Sequence, residues 1–145
     1  MNPNALIVDA ETKAIALPIG GTGSFIANIK TSEEITIDPA SDIVLFAVSD
    51  PTWIGVKQHK AAILRKTLPI QVNNGDYYVQ VTFVNADTRD LKPGDYVWDL
   101  TLITSPEFDE DMIPIVEDDS DNVIPIFARS GKLPTFALRG VTVIV

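Results

Sequence analysis

The chain has 145 residues, 46% of them apolar, and a formal net charge of −9. That length suits one domain of the usual ~100–200 residues, with a sizeable buried core rather than a disordered chain. It contains no cysteine, which excludes structural disulfides, thiolate zinc sites and thiol nucleophiles, and its Lys and Arg residues form no stripe of the kind nucleic acid requires.

The absence of cysteine favours assembly in a reducing cytosol, and the start, "MNPNALIVDAETK", lacks the basic opening and apolar run expected of a signal peptide. "AIALPIG" (Ala14–Gly20) reads as a strand, and Pro18 within it predicts a sheet edge because proline cannot donate to a ladder. "GGTG" (Gly20–Gly23) is read as a flexible hairpin turn into "GSFIANIK" (Gly23–Lys30). There Phe25, Ala27 and Ile29 share one face, and Ile26 and Asn28 share the other. "DIVLFAVSD" (Asp42–Asp50) is nearly all apolar and predicts a strand buried on both faces. "TWIGVKQHKAAILRK" has some helical character, which suggests a short turn near Trp53–His59. "AAILRKTLPI" (Ala61–Ile70) and "YYVQVTFV" (Tyr77–Val84) predict two strands with a turn at "NNGD" (Asn73–Asp76) between them.

"DLKPGDYVWDLTLI" (Asp90–Ile103) begins with a bend and ends in strict alternation. Leu91 is placed to plug the end of the core, Pro93 to preset a turn and Gly94 to relax it. Tyr96 is placed to return its hydroxyl to upstream backbone as a tyrosine corner; the alternative is an ordinary turn before a strand. Trp98 reads as a core aromatic rather than a ligand platform. Residues 105–122 then form an acidic loop with eight carboxylates and no Lys or Arg, which accounts for nearly all of the net charge. "MIPIV" within it suggests an extended arm for docking. "VIPIFA" and "TFALRGVTVIV" close the chain as strands, with a bulge at Gly140.

Eight or nine short strands at this spacing predict an all-β fold. The specific expectation is an immunoglobulin-like antiparallel β-sandwich of about eight strands, as a single domain over residues 1–145. No apolar run approaches the ~20 residues of a membrane helix, so no membrane partner is expected.

Chemistry is sparse. His59 is the lone histidine, lies in polar "VKQHK" and lacks a "GxSxG" partner, so a solvated loop role is expected. "GGTGS" lacks the lysine and the following helix of a phosphate loop. Asp109, Asp111, Asp118, Asp119 and Asp121 are weak candidates for Ca²⁺ ligation, but their spacing departs from the twelve-residue loop. No catalytic residue and no cofactor is expected.

Three stretches carry a resemblance: "IGGTGSF" through Phe25, "DTRDLKPGDYVWD" over Asp87–Asp99, and the Val141–Thr142 pair. Their order resembles that in small tailed-bacteriophage virion proteins, including the N-terminal domain of the phage baseplate upper protein. Gly21 stands where that pattern has Asp, and the acidic loop lies outside it. The resemblance implies a non-enzymatic structural subunit of the virion, at the capsid surface as a decoration, at the neck, or at the tail or baseplate. It implies assembly in the host cytoplasm, other virion proteins as partners, and a symmetric homo-oligomer. "VTVIV" and the Pro18 strand are candidate contacts. The alternative is a carbohydrate- or Ca²⁺-dependent adhesion module, with Trp53, Tyr77 or Tyr78 stacking on sugar.

Overall fold

The computed structural model describes residues 6–30, 35–50, 62–116, 121–126 and 133–140. They form β1 (Ile7–Val8), β2 (Ile15–Pro18), β3 (Gly23–Ile29), β4 (Ile43–Ser49), β5 (Leu64–Pro69), β6 (Gln71–Asn73) and β7 (Asp76–Phe83). A one-turn helix α1 (Asn85–Thr88) follows, then β8 (Gly94–Ile103), β9 (Val123–Pro125) and β10 (Thr135–Arg139). The larger sheet runs β1-β2-β10-β8-β4-β5, with β9 also on β8; the smaller runs β3-β7-β6.

Alternation decides which residues go inside. Val44, Phe46 and Val48 of β4 and Trp98, Leu100 and Leu102 of β8 face the smaller sheet, which answers with Ile29, Val79, Val81 and Phe83. Aromatic rings stitch the layers. Phe83 meets Phe46 edge-on at 5.8 Å and Phe136 at 5.7 Å. Such pairs add about 0.5–1.5 kcal/mol each beyond burial. The larger sheet is covered on its other side too, where Ala47, Val97 and Leu133 cluster with Ala62. This second cover explains why β4 lacks the apolar-polar alternation of a half-exposed strand, and why Asp99 and Thr101, the polar members of the alternating β8, are buried as well.

The chain crosses between the sheets four times, and two of these corners are tight. β5 ends at Pro69 and β6 begins at Gln71, so the buried Ile70 is the pivot. The second corner is "GGTG", and here the structure corrects the expected hairpin: β2 and β3 lie in different sheets. The physical reason is that Ile15 and Leu17 and the Phe25–Ile29 row must face each other across one core. "NNGD" is a true hairpin between β6 and β7, with positive φ at Asn74 (52°) and Gly75 (84°), as a two-residue turn of matching twist needs.

Pro18 is also reassigned. β2 is not the edge, because β1 pairs with it at Ile15 and Ala16. β2 also pairs in parallel with β10, so the larger sheet is mixed rather than antiparallel. The Ile19 N–H donates to the Arg139 carbonyl, so alternation points the Pro18 nitrogen the other way, beyond the last β1 pair. Trp53, His59 and the "VTVIV" end lie outside the described residues.

Candidate functional site

The Lys92–Tyr96 bend is fastened by its tyrosine: the Tyr96 hydroxyl donates to the Lys92 carbonyl at 2.8 Å. Leu91 packs half-buried against the core, Pro93 is exposed, and Gly94 opens β8. Trp98 is 2% exposed and its indole N–H donates to the Lys13 carbonyl at 2.9 Å, holding the β1–β2 loop against β8. It also meets Phe25 edge-on at 5.8 Å across the two sheets.

Helix α1 locks the other corner. The Gly20 N–H donates to the Thr88 hydroxyl at 2.8 Å, and the Asn85 side-chain amide donates back to the Gly20 carbonyl at 3.1 Å. Gly20 has φ of 71°, which favours glycine, and a Cβ there would sit 2.7 Å from the Asn85 amide nitrogen and displace the bond it makes. Asp87 accepts the Val84 N–H and pairs with Lys66 of β5 at 2.8 Å. The sequence reading missed this helix; Asn-Ala-Asp-Thr is too short for periodicity, and only its Asx-rich composition hints at a turn.

A cleft of about 480 Å³ opens beside β3. Its β3 wall is the consecutive run Phe25–Asn28, with Trp98, Leu100 and Ile126 also lining it. The β1–β2 loop contributes Val8–Ala10 and Lys13. Asp9 is committed to that loop: its carboxylate accepts the Glu11 and Thr12 N–H groups, and these bonds hold its pKa below the ordinary 3.8. β3 is the outer strand of its sheet and pairs on one side with β7; no second strand pairs with it among the described residues. It carries no charged residue from Gly23 to Ile29, and Ile26 is 61% exposed.

The acidic loop is a folded hairpin over Glu107–Ile115, which corrects the expectation of an extended "MIPIV" arm. Phe108 bridges Pro114, and Met112 turns the tip with φ of 62°. The Asp109 carboxylate accepts the Asp111 and Ile113 N–H groups, so it serves the turn. Among the described residues, which include Asp109, Asp111 and Asp121, no group of three or more His, Asp or Glu is placed to hold a metal ion. Asp118 and Asp119 lie outside the described residues. The loop's stem is held by Asp42, 4% exposed, whose carboxylate accepts the Ser105 and Asp38 N–H groups.

The outer face of the smaller sheet carries one charge within its strands, Asp76 at the start of β7. Ser24, Ile26 and Asn28 of β3 lie beside Thr82, Gln80 and Tyr78 of β7. Tyr78 bonds Gln71 at 3.1 Å and Gln80 bonds Ser24 at 3.3 Å. Tyr77 is on the opposite row and packs on the core, which removes it as a sugar platform.

No family model matches the chain, and no curated protein and no solved structure shows significant similarity to it.

Proposed function

We propose that this chain is a non-enzymatic structural subunit of a tailed-bacteriophage particle, at the capsid surface, neck or tail, working through protein–protein contacts in an immunoglobulin-like frame. Immunoglobulin domains order their strands G-F-C-C′ on one sheet and B-E-D on the other. If β3 to β8 are taken as B, C, C′, D, E and F, and β10 as G, the pairings β10-β8-β4-β5 and β3-β7-β6 follow that order. Tyr96 then stands at the start of F, after the E–F corner, with its hydroxyl on upstream backbone. Trp98, two residues on, takes the place of the disulfide cysteine of antibody domains, and Phe25 supports it from B.

One observation carries the structural reading. The polar groups of the motif stretches are used to fasten the frame: Gly20 is bound by Asn85 and Thr88, and Tyr96 by Lys92. What remains for partners is an uncharged strand edge beside a partly apolar cleft. The resemblance of Gly20–Phe25 and Asp87–Asp99 to phage virion proteins supplies the particle. Mass spectrometry of density-purified particles from lysates of the source tests this: the chain is expected in stoichiometric amount, and its absence from washed particles refutes the reading.

The outer face of the smaller sheet favours a second reading, glycan adhesion. It combines one aromatic, Tyr78, with the amides of Asn28, Gln71 and Gln80. Retention on a glycan array that is lost in Tyr78→Ala would support it.

A further inference from the structure

We propose that the β3 edge binds the β3 edge of a second copy, antiparallel and centred on Ile26, joining the two smaller sheets into one of six strands. This deepens the structural reading by naming a partner, and it rests on that reading only for its biological setting.

The strand is self-complementary in that register. Ile26 falls opposite Ile26 of the other copy, and Ser24 falls opposite Asn28, apolar on apolar and polar on polar. On the inner row the large Phe25 meets the small Ala27, while Gly23 is covered by Leu6 of its own chain and Ile29 is buried in its own core, so the pairing centres on residues 24–28. These β3 residues belong to one uninterrupted strand paired on its other side with β7. Opposed residues on one face of an antiparallel pair are the unit of sheet stabilisation, and a shift of one residue would set each inner row against an outer row.

Electrostatics selects the same surface. Two copies of a chain of net charge −9 repel, and like charges directly opposite are destabilising. From Gly23 to Ile29 there is nothing to repel. Edges are ordinarily guarded by charge, proline or a bulge, and β3 has none of these. Among the described residues the Phe25–Asn28 run borders the 480 Å³ cleft, whose far wall is Val8–Ala10, Lys13 and Ile126. Ile26 is too exposed for a role in its own core, and across the two-fold axis it gains an apolar neighbour.

Light scattering on the full chain at ~100 μM should give a dimer, since even modest interfaces reach ~10 μM. Ile26→Lys places two cations face to face and should return a monomer with unchanged circular dichroism. The register has its own test. The chain has no cysteine, and opposed Cα atoms in such a pair lie ~4.5–5.5 Å apart, within disulfide reach. Ile26→Cys should therefore cross-link quantitatively under mild oxidation, while Met112→Cys at the exposed hairpin tip should not. Ser24→Lys with Asn28→Glu should keep the dimer, by pairing Lys with Glu twice.

A monomer at that concentration overturns the proposal, as does a dimer indifferent to Ile26→Lys or a chain that cross-links equally at positions 26 and 112. So does a monomer that dimerises only when residues 1–5 are removed, which would give the edge to the chain's own start. A monomer that still co-purifies with particles would end this inference and leave the structural reading standing.

Discussion

Replacing Trp98 with Phe tests the fastening of the β1–β2 loop to the core. Three losses combine. The smaller ring leaves a void of ~40 Å³, which at ~24 cal/mol per Å³ costs about 1 kcal/mol. Burying one fewer fused ring forgoes about 0.5–1 kcal/mol of transfer energy. The Lys13 carbonyl loses its donor, and because Lys13 is exposed, water replaces part of a bond worth about 0.5–1.5 kcal/mol. The sum is about 2–3 kcal/mol, or roughly 6–10 °C in Tm for a chain of this size. Urea unfolding followed by far-ultraviolet circular dichroism measures it, with an unchanged slope as the sign that only stability moved. A cost below about 0.5 kcal/mol would refute the assignment of the indole as the bolt between loop, β8 and Phe25.

Further outcomes follow from single bonds. Tyr96→Phe should cost about 1 kcal/mol in the same urea assay, with hydration of the exposed Lys92 carbonyl limiting the loss; no change would separate the hydroxyl from the bend. Thr88→Val keeps the shape of a fully buried side chain but strips the Gly20 N–H of its acceptor. It should cost about 1–3 kcal/mol, and Thr88→Ser under half as much. Asp9→Asn tests the depressed carboxyl. The Asp9 contribution is present in full above the ordinary 3.8 and is lost as pH falls through the lower folded value. The stability gap between wild type and variant should therefore hold steady from neutral pH down to about pH 4 and shrink as the pH falls further, and a constant gap would contradict the loop bonds.

The interior was legible because burial leaves a plain mark. Alternation over Tyr96–Ile103 and Phe25–Ile29, and the continuous apolar run of β4, pointed to the residues that now fill the core. The "NNGD" turn was legible because its backbone needs Asn and Gly. What sequence could not give was the pairing of distant strands. "GGTG" looks like a hairpin because turn chemistry is local, and only the demand for one shared core sends β2 and β3 to different sheets. Pro18 suggested an edge because the rule concerns the missing N–H; a two-residue β1 that stops at Ala16 satisfies that rule from inside the sheet. The bond from Thr88 to Gly20 joins residues far apart in sequence, so the two stretches could be noticed together with no reason for their company. The open edge of β3 was equally hidden. Its lack of charge was readable, whereas its place at the end of a sheet is a matter of topology.

The parallel pairing of β2 with β10 bears on how the molecule is made. Phe136 lies beside Ile15, synthesised about 120 residues earlier, and long separations of this kind slow folding. The smaller sheet is complete once β7 has left the ribosome, whereas the larger one waits for the last described strand to slide between β2 and β8. A ribosome that stalls after Ile126 would release a nascent product with two bare strand borders, prone to clump before a chaperone reaches it.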